Sequence, residues 1–436
     1  MIDPQTFAIL FLVALLGLGA LGVHIAVIMM VIALVTAWAT LGTGVVLNLG
    51  NLGWSVQTDF ILVAAPLFIL MGEILLRSGI SDRMYNALAA WTSRIPGGLL
   101  HTNIAASAMF SATSGSSVAT AATIGTVALP AFQDRGYSER MALGSLVAGG
   151  TLGILIPPSV NLVVYGAMTD TSIGRLFAAG LVPGILMALL FSLTIVVFAL
   201  VRPQIAGAGE ARIALRDRVW LLKDLIPPLA IFALVMGSIY FGFATPTEAA
   251  GLGVVGALVL AALHRRLSVA MLHASFLSAL KTTAMVLLIV LAAFFLNFVI
   301  SLLGVPQAIA RWIAELGLTP MQTILLLVVI YIALGCVLET LSMIVTTIPI
   351  VTPLAVSLGF DPVWFGIFLV IMAELALATP PVGMNLFVVQ GVRPGGGSIN
   401  DTIIGTLPFL AAMLLTAGIL IAFPEIALWL PNRLFD

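Results

Sequence analysis

A dense cluster of hydroxyl side chains interrupts an apolar stretch at residues 98–132. Its centre consists of Ser114, Gly115, Ser116, Ser117 and Thr120. Gly115 permits a turn, and the hydroxyl groups can either cap the helix that follows or coordinate a cation such as Na⁺. The alternative interpretation is that these hydroxyls satisfy backbone groups and allow membrane helices to pack closely.

A second polar interruption follows in the segment Ile156–Asn161, which contains Pro157 and Pro158. Two adjacent prolines remove two N–H donors and free carbonyl groups one turn earlier, and such carbonyls suit cations. Asn161 is costly in lipid unless its amide has a partner. The segment therefore indicates either a broken helix that binds a ligand or a kink required for packing.

Two similar interruptions occur in the second half of the chain. One contains Glu339 and Thr340; the other contains Thr379, Pro380, Pro381, Gly383 and Asn385. A carboxylate near the middle of a bilayer costs roughly 2.5–3.5 kcal/mol, so Glu339 should be paired, protonated or bound to a cation. A structural hydrogen bond, or a position that reaches water, would explain it equally well.

Three further acidic residues have weaker claims. Glu374 lies just before the last interruption and could act like Glu339. Glu73 and Glu248 lie near the ends of apolar segments, so interfacial or structural roles are expected for them. No Lys or Arg falls within the four interruptions. An anionic ligand would therefore have to be met by helix ends, hydroxyls, bound cations or a residue from elsewhere.

The composition explains which elements must position these residues. The chain has 436 residues, of which 61% are hydrophobic and 8% are charged, whereas soluble proteins carry about 25% charged residues. A soluble enzyme is therefore excluded. The net charge of −1 gives no field to recruit nucleic acid. Cys336 cannot form an internal disulfide, and the four histidines have no metal-ligand spacing, so no cofactor is expected.

Apolar segments long enough to cross a bilayer need roughly 20 residues each. They are expected at 5–21, 23–42, 59–77, 138–168, 173–201, 224–242, 246–263, 281–303, 361–390 and 399–423. The stretches 98–132 and 320–357 are predicted to be re-entrant helical hairpins, since broken backbone at membrane depth is tolerated only inside protein or beside water. Amphipathic stretches at 80–94 and 267–280 are predicted to be interfacial helices. The first residues lack a positively charged start, so no secretory signal is expected.

The spacing of prolines and glycines reveals an internal repeat. Pro130, Gly136, Pro157 and Pro158 recur 223 positions later as Pro353, Gly359, Pro380 and Pro381. The chain is thus predicted to contain two copies of one unit, 1–202 and 224–436, joined by a polar linker, 203–223. Each copy holds five spans and one hairpin; because five is odd, the second copy should be inverted. Inverted repeats with discontinuous helices are typical of secondary transporters.

Charge predicts which face of the membrane each loop occupies. If the spans alternate, 14 of the 17 basic residues fall on one side, and only Arg175, Arg311 and Arg433 fall on the other. The positive-inside rule places the richer side in the cytoplasm. Both termini are then expected on the opposite side.

Four sequence motifs resemble one transporter family. They are Ser111–Gly125 (SATSGSSVATAATIG), Gly153–Pro158 (GILIPP), Ile348–Pro353 (IPIVTP) and Ala378–Leu386 (ATPPVGMNL). Together they are similar to the large membrane subunit of tripartite ATP-independent periplasmic (TRAP) transporters, and the resemblance covers essentially the whole chain. It implies an all-α polytopic fold of the elevator type, in which the hairpin-bearing domain slides across the bilayer.

The resemblance also implies a function and partners. The family imports small organic anions, often carboxylates, through the bacterial inner membrane with a sodium gradient. Substrate arrives on a periplasmic binding protein, and a small four-helix membrane subunit packs against the large one. Both termini of this chain would be periplasmic. The first tip and Pro157–Asn161 would frame one Na⁺ site, and Glu339-Thr340 with Thr379–Asn385 the other, with substrate between them. Ser114, Ser116, Glu339 and Thr379 are the candidate Na⁺ ligands.

Three alternatives remain open at this point. A self-sufficient sodium/dicarboxylate symporter of the same superfamily is disfavoured, because the tips lack the Ser-Asn-Thr triplet of those proteins. An intramembrane enzyme would need a paired nucleophile and base, and Ser114–Ser117 has no His, Lys or Asp nearby in sequence. A passive channel would not accumulate substrate against a gradient.

Overall fold

The computed structural model describes residues 10–11, 13–15, 17–19, 21–207, 214–336 and 338–435, and within these ranges the regular secondary structure is helical. The expected span at 5–21 and the linker at 203–223 lie partly outside the described residues, and the first nine residues wholly so. The helices of the first half are α1 Ile25–Thr36, extended by a π-helical turn Ala37–Leu41, α2 Thr43–Leu47, α3 Leu49–Gln57, α4 Ala64–Arg77, α5 Ile80–Thr92, α6 Leu99–Ser114, α7 Ser117–Asp134, α8 Glu139–Gly150, α9 Val160–Thr169 and α10 Ile173–Val201.

The second half has a similar sequence of elements. Its helices are α11 Leu215–Leu221, α12 Ile226–Tyr240, α13 Pro246–Leu263, α14 Val269–Leu302, α15 Val305–Glu315, α16 Pro320–Gly335, α17 Thr340–Ser357, α18 Pro362–Ala378, α19 Met384–Gly391, α20 Ile399–Ala422 and α21 Glu425–Phe435. α15 and α21 were not predicted as separate elements. α15 is short and α21 carries Pro431 and Arg433, so neither has the long apolar run by which spans were recognised.

Six of the described helices are individually long and apolar enough to cross a membrane. They are α10, the joined segment Leu215–Tyr240, α13, α14, α17 and α20. α4 and α5 together also meet this criterion, but they are bent by 70°. Four shorter apolar helical segments are Ile25–Leu41, α9, α16 and α18. The chain is therefore a polytopic all-α membrane protein.

All four predicted interruptions are helix breaks. α6 and α7 are separated by Gly115 and Ser116, and α16 and α17 by residues 336–339. The spans at 138–168 and 361–390 are each divided in two at their Pro-Pro pairs, both of which contain a cis peptide bond. Each half of the chain thus has one helix break at a tip and one at a Pro-Pro pair. The inversion of the second half and the boundaries of the repeats stay predictions.

The two amphipathic stretches differ from each other. The first forms α5, set apart from α4 by Gly79 at φ 75°. The second was predicted to be a separate interfacial helix at 267–280, and this is wrong: residues 269–302 form one continuous helix of 34 residues. No glycine or proline lies between Val269 and Leu302, so the backbone hydrogen-bond ladder has no reason to stop.

The core is built around α18, in which every residue from Val363 to Ala378 is buried. α8 and α20 cross with their backbones in direct contact beside it. A Cβ added at Gly144 would overlap the carbonyl oxygen of Gly405 and lie 2.9 Å from the Thr406 nitrogen. A Cβ at Gly405 would in turn overlap the carbonyl oxygen of Arg140. Small residues let membrane helices approach this closely, and here they join a helix from each half of the chain.

Ion pairs secure one end of this crossing. The Arg393 guanidinium is 4% exposed and lies 2.7 Å from Glu139 Oε1 and 3.5 Å from Asp401 Oδ2. It also donates to the Ser398 carbonyl at 3.1 Å. Arg140 binds the other Asp401 oxygen at 2.8 Å. Because Arg393 follows α19 while Glu139 begins α8, the network ties the second half to the first.

Replacing Arg393 by alanine is expected to destabilise the protein by about 2 kcal/mol, since a nearly buried guanidinium with four partners is lost. Thermal unfolding of the purified chain in detergent measures the effect. Arg94→Ala is the matched control, because Arg94 is exposed. Equal unfolding midpoints for the two variants would contradict the structural role of the network.

Candidate functional site

Both predicted tips line one cavity, with a volume of about 400 Å³. The first tip contributes Ser114 to Ala119, and the second contributes Glu339, Thr340 and Leu341. The remaining walls are Ile69, Gly72, Glu73, Leu76, Phe110, Ala122, Ile154, Val160, Asn161, Thr282, Met285, Val286, Leu377 and Met384. Residues more than 200 positions apart in sequence thus meet around a single space.

The first tip is organised by its own hydroxyl groups. The Ser116 side chain caps α7 by accepting from the Ala119 nitrogen at 3.3 Å. Thr120 Oγ1 donates to the Ser116 carbonyl at 2.8 Å and lies 2.9 Å from Ser114 Oγ. Helix capping, one of the two predicted uses of these side chains, is therefore present. The amide groups at the start of α7 face the cavity region with the partial positive charge of a helix N-terminus.

The first break packs directly on this tip. A Cβ at Gly115, which has φ 61°, would lie 2.7 Å from the Pro158 carbonyl oxygen. A Cβ at Gly153 would lie 2.6 Å from the Ser116 carbonyl carbon. Asn161 reaches the cavity, is 5% exposed and has no hydrogen-bond partner for its Nδ2 atom. The Pro157-Pro158 segment thus supports the tip, while Asn161 offers a free donor.

At the second tip, the Glu339 carboxylate caps α17. Its two oxygens accept from the backbone nitrogens of Leu341 at 3.0 Å and Ser342 at 2.6 Å, and the Ser342 hydroxyl also donates to it. The structure therefore supplies the structural hydrogen bonds that the sequence left open as an alternative. Glu339 also lines the cavity, so binding of a cation by its remaining lone pairs stays a prediction.

The second break contributes less to the cavity wall than the first. Among its described residues, Leu377 and Met384 reach the wall. Thr379 Oγ1 donates to the Leu375 carbonyl at 2.6 Å, which leaves its hydroxyl engaged within α18. Asn385 is fully buried, and neither its oxygen nor its nitrogen has a partner. The structure does not bring Thr379, Pro380, Gly383 or Asn385 to the wall with the tip residues.

Glu73, for which an interfacial or structural role was expected, lines the cavity. α4 runs beside the first tip because Gly72 lets it approach closely, with an added Cβ only 3.1 Å from Ser114 Cα. The Glu73 carboxylate pairs with Arg77, one turn later. The sequence placed Glu73 near the end of a span. Only the packing of α4 against the first tip shows that this end lies beside the cavity.

Glu374, the weaker candidate in sequence, lies on α18 and contacts the first tip. It is fully buried, and its Oε1 atom accepts from Ser117 Oγ at 2.6 Å and from the Ile154 nitrogen at 3.1 Å. Its Oε2 atom has no partner. The position could not be read from the sequence, because Ser117 and Glu374 are 257 positions apart.

The polar groups of the cavity suit a cation and the carboxylate of a small ligand together. Among the described lining residues, none is Lys or Arg, and Glu73 and Glu339 are acidic. An anion would be met by the amide end of α7, the hydroxyls and Asn161, because Glu339 already binds the amides of Leu341 and Ser342 in α17. Within the described residues, no group of three His, Cys, Asp or Glu side chains is arranged to hold a metal ion.

Broken helices that meet at one cavity within an apolar helical protein are typical of the class of secondary membrane transporters. Residues 12–426 match the family described as "Tripartite ATP-independent periplasmic transporter, DctM component". The chain belongs to this family.

Two curated relatives illustrate its range. The chain is 36% identical over 376 residues to the C4-dicarboxylate TRAP transporter large permease protein DctM of Pseudomonas aeruginosa, covering 86% of this chain and 87% of that protein. It is 34% identical over 381 residues to the ectoine/5-hydroxyectoine TRAP transporter large permease protein UehC of Ruegeria pomeroyi, with the same coverage. Among solved structures, the Alcanivorax borkumensis YdaH transporter has a similar fold, with a TM-score of 0.64, 16% identity and 90% coverage of both chains.

Proposed function

We propose that this chain is the large permease subunit of a sodium-coupled importer for a small carboxylate. The observation that carries the proposal is the single cavity lined by both tips, in a chain of the tripartite family. Its volume of about 400 Å³ lies within the range of small-molecule sites. The named ligands of the two relatives, C4-dicarboxylates and ectoines, are small carboxylic acids, which supports this substrate class.

The electrostatics support coupling to a cation. Arg77 compensates the charge of Glu73, but a carboxylate ligand would still be repelled by Glu339 in the same wall unless a positive charge binds with it. The described wall supplies no basic side chain, so bound Na⁺ provides that charge, held by hydroxyls, carbonyls at the breaks and the carboxylates. Binding of the two ligands is then mutually dependent, which is the physical basis of symport.

The remaining parts follow from the family. A periplasmic binding protein delivers the substrate, and a small four-helix membrane subunit supports the permease in the bacterial inner membrane. Both termini are periplasmic, and the hairpin-bearing part moves as an elevator relative to the rest. α18 packs against α9, α16, α17 and α19, and its Glu374 binds Ser117 of the first tip and Ile154 of the first break; this connection of the hairpins and breaks supports movement as a rigid body.

Uptake into proteoliposomes tests the proposal. Thermal-shift screening of the cognate binding protein with organic acids first identifies the ligand; the radiolabelled ligand is then offered to permease and small subunit with an inward Na⁺ gradient. Accumulation is expected only with both the binding protein and Na⁺, and a K⁺ gradient is the control. Uptake of free ligand by the chain alone would favour the self-sufficient symporter, and equilibration without accumulation a channel.

A further inference from the structure

The first tip is hydrogen-bonded to Glu374, a side chain that is not part of the described cavity lining. Glu374 is on α18, in the second half of the chain, whereas the tip and the first break are in the first half. One carboxylate oxygen, Oε1, accepts hydrogen bonds from both: Ser117 Oγ at 2.6 Å and the Ile154 nitrogen at 3.1 Å. Ser117 and Ile154 line the cavity, but Glu374 is absent from the described lining.

We propose that Glu374 is a positioning residue: by binding Ser117 and Ile154 with one oxygen, it fixes the first tip against the first break and so sets the shape of this cavity wall. The role deepens the proposed function, because the tip is one of its two predicted Na⁺ sites. It does not require Glu374 itself to touch ion or substrate.

The local packing explains why one side chain can have this effect. The tip is clasped between two backbone segments: Gly153 lies against Ser116 and Ser117, and Gly115 lies against the Pro158 carbonyl. Neither contact is a hydrogen bond. The hydrogen bonds to Glu374 add directional links between the two segments. They also satisfy the Ile154 amide, which a broken helix would otherwise leave without a partner.

The Glu374 carboxyl group lies beside a helix N-terminus. Ser117 is the first residue of α7, so the carboxylate lies at a helix N-terminus, where the aligned peptide dipoles favour negative charge. A neutral glutamine could still present one oxygen to Ser117 and Ile154. Its nitrogen would take the place of Oε2, which has no hydrogen-bond partner in the described structure. A positioning role therefore predicts rescue by glutamine and no rescue by alanine.

Hydrogen exchange of the purified full chain, measured by mass spectrometry, tests this role without any transport assay. Glu374→Ala and Ser117→Ala are each expected to raise amide exchange at residues 114–120 by about tenfold, the effect of losing one buried hydrogen bond. The double variant should exchange no faster than the faster single variant, because both substitutions remove the same bond. Glu374→Gln should stay within about threefold of the unmodified protein. Glu425→Ala is the matched control, since Glu425 is exposed on α21.

Unchanged exchange in Glu374→Ala, or an equal increase in Glu374→Gln, would overturn the proposal; the latter would mean that the charge itself is required. If Glu374→Ala does not fold, Ser117→Ala and Glu374→Gln still decide between these outcomes. In the transport assay, Glu374→Ala should raise the Na⁺ concentration for half-maximal uptake more than Glu374→Gln does. If uptake by the unmodified protein does not depend on Na⁺, the proposed sodium coupling is wrong. The hydrogen-exchange experiment still tests the positioning role of Glu374 in that case.

Discussion

Protein carrying Gly144→Leu is expected to be absent from the folded, monodisperse fraction. A Cβ at this position overlaps the carbonyl oxygen of Gly405, and the further atoms of leucine have no space between the backbones of α8 and α20. Overpacking costs typically 1–3 kcal/mol where side chains can shift, and more where the obstacle is backbone. The milder Gly144→Ala and Gly405→Ala should each cost about 3 kcal/mol, because the two helices must separate to admit one methyl group.

Size-exclusion chromatography and thermal unfolding of the purified variants measure this effect. Gly418→Ala provides the control on the same helix, α20: an added Cβ there meets nothing within 4 Å. That substitution should be neutral or stabilising by up to about 1 kcal/mol, the difference in helix propensity between glycine and alanine. If Gly144→Ala unfolds at the same temperature as Gly418→Ala, the direct backbone contact between α8 and α20 is wrong.

Substitution of Glu339 is expected to weaken the sodium dependence of uptake, provided that its charge contributes to an ion site. Glu339→Gln alone is ambiguous, because the carboxylate also caps α17 through Leu341 and Ser342 and loss of a cap costs about 1 kcal/mol. Aspartate and asparagine separate the two roles, since both are good N-cap residues but only aspartate is charged.

We expect Glu339→Asn and Glu339→Gln to raise the Na⁺ concentration for half-maximal uptake by about tenfold, equivalent to about 1.4 kcal/mol of ion binding. Glu339→Asp should remain closer to the unmodified protein. Replacement of Ser116 and Ser117 by alanine should weaken sodium dependence at the first tip in the same way. An unchanged sodium requirement in the asparagine variant and in the serine double variant would exclude both tips as ion sites.

The position of helix breaks was predictable because the causes are local. Two adjacent prolines cannot continue a helix, and a glycine beside hydroxyl residues offers both a turn and a cap. All four interruptions are therefore breaks in the structure. The prediction failed where such signals were absent: polarity at 267–280 indicated a separate element, but without proline or glycine the helix continued as α14.

The site was only partly predictable for the opposite reason. Ser114–Ser117, Asn161, Glu339 and Thr340, which were chosen by residue type, line the cavity, and binding of ion or substrate by them stays a prediction. Thr379 and Asn385 were chosen by the same argument, but they do not line the cavity. Residue type alone does not show which side chains at a helix break face the cavity.

By itself, the sequence determined the membrane class, the helical content, the breaks and the family, since apolar length, proline spacing and motifs are properties of contiguous residues. The tertiary structure alone decided which distant residues meet. Both tips and Glu73 line one cavity. Glu339 caps α17, and Glu374 accepts a hydrogen bond from Ser117. These outcomes depend on the direction in which packed helices present their side chains, and close backbone contacts such as that between Gly144 and Gly405 set that direction.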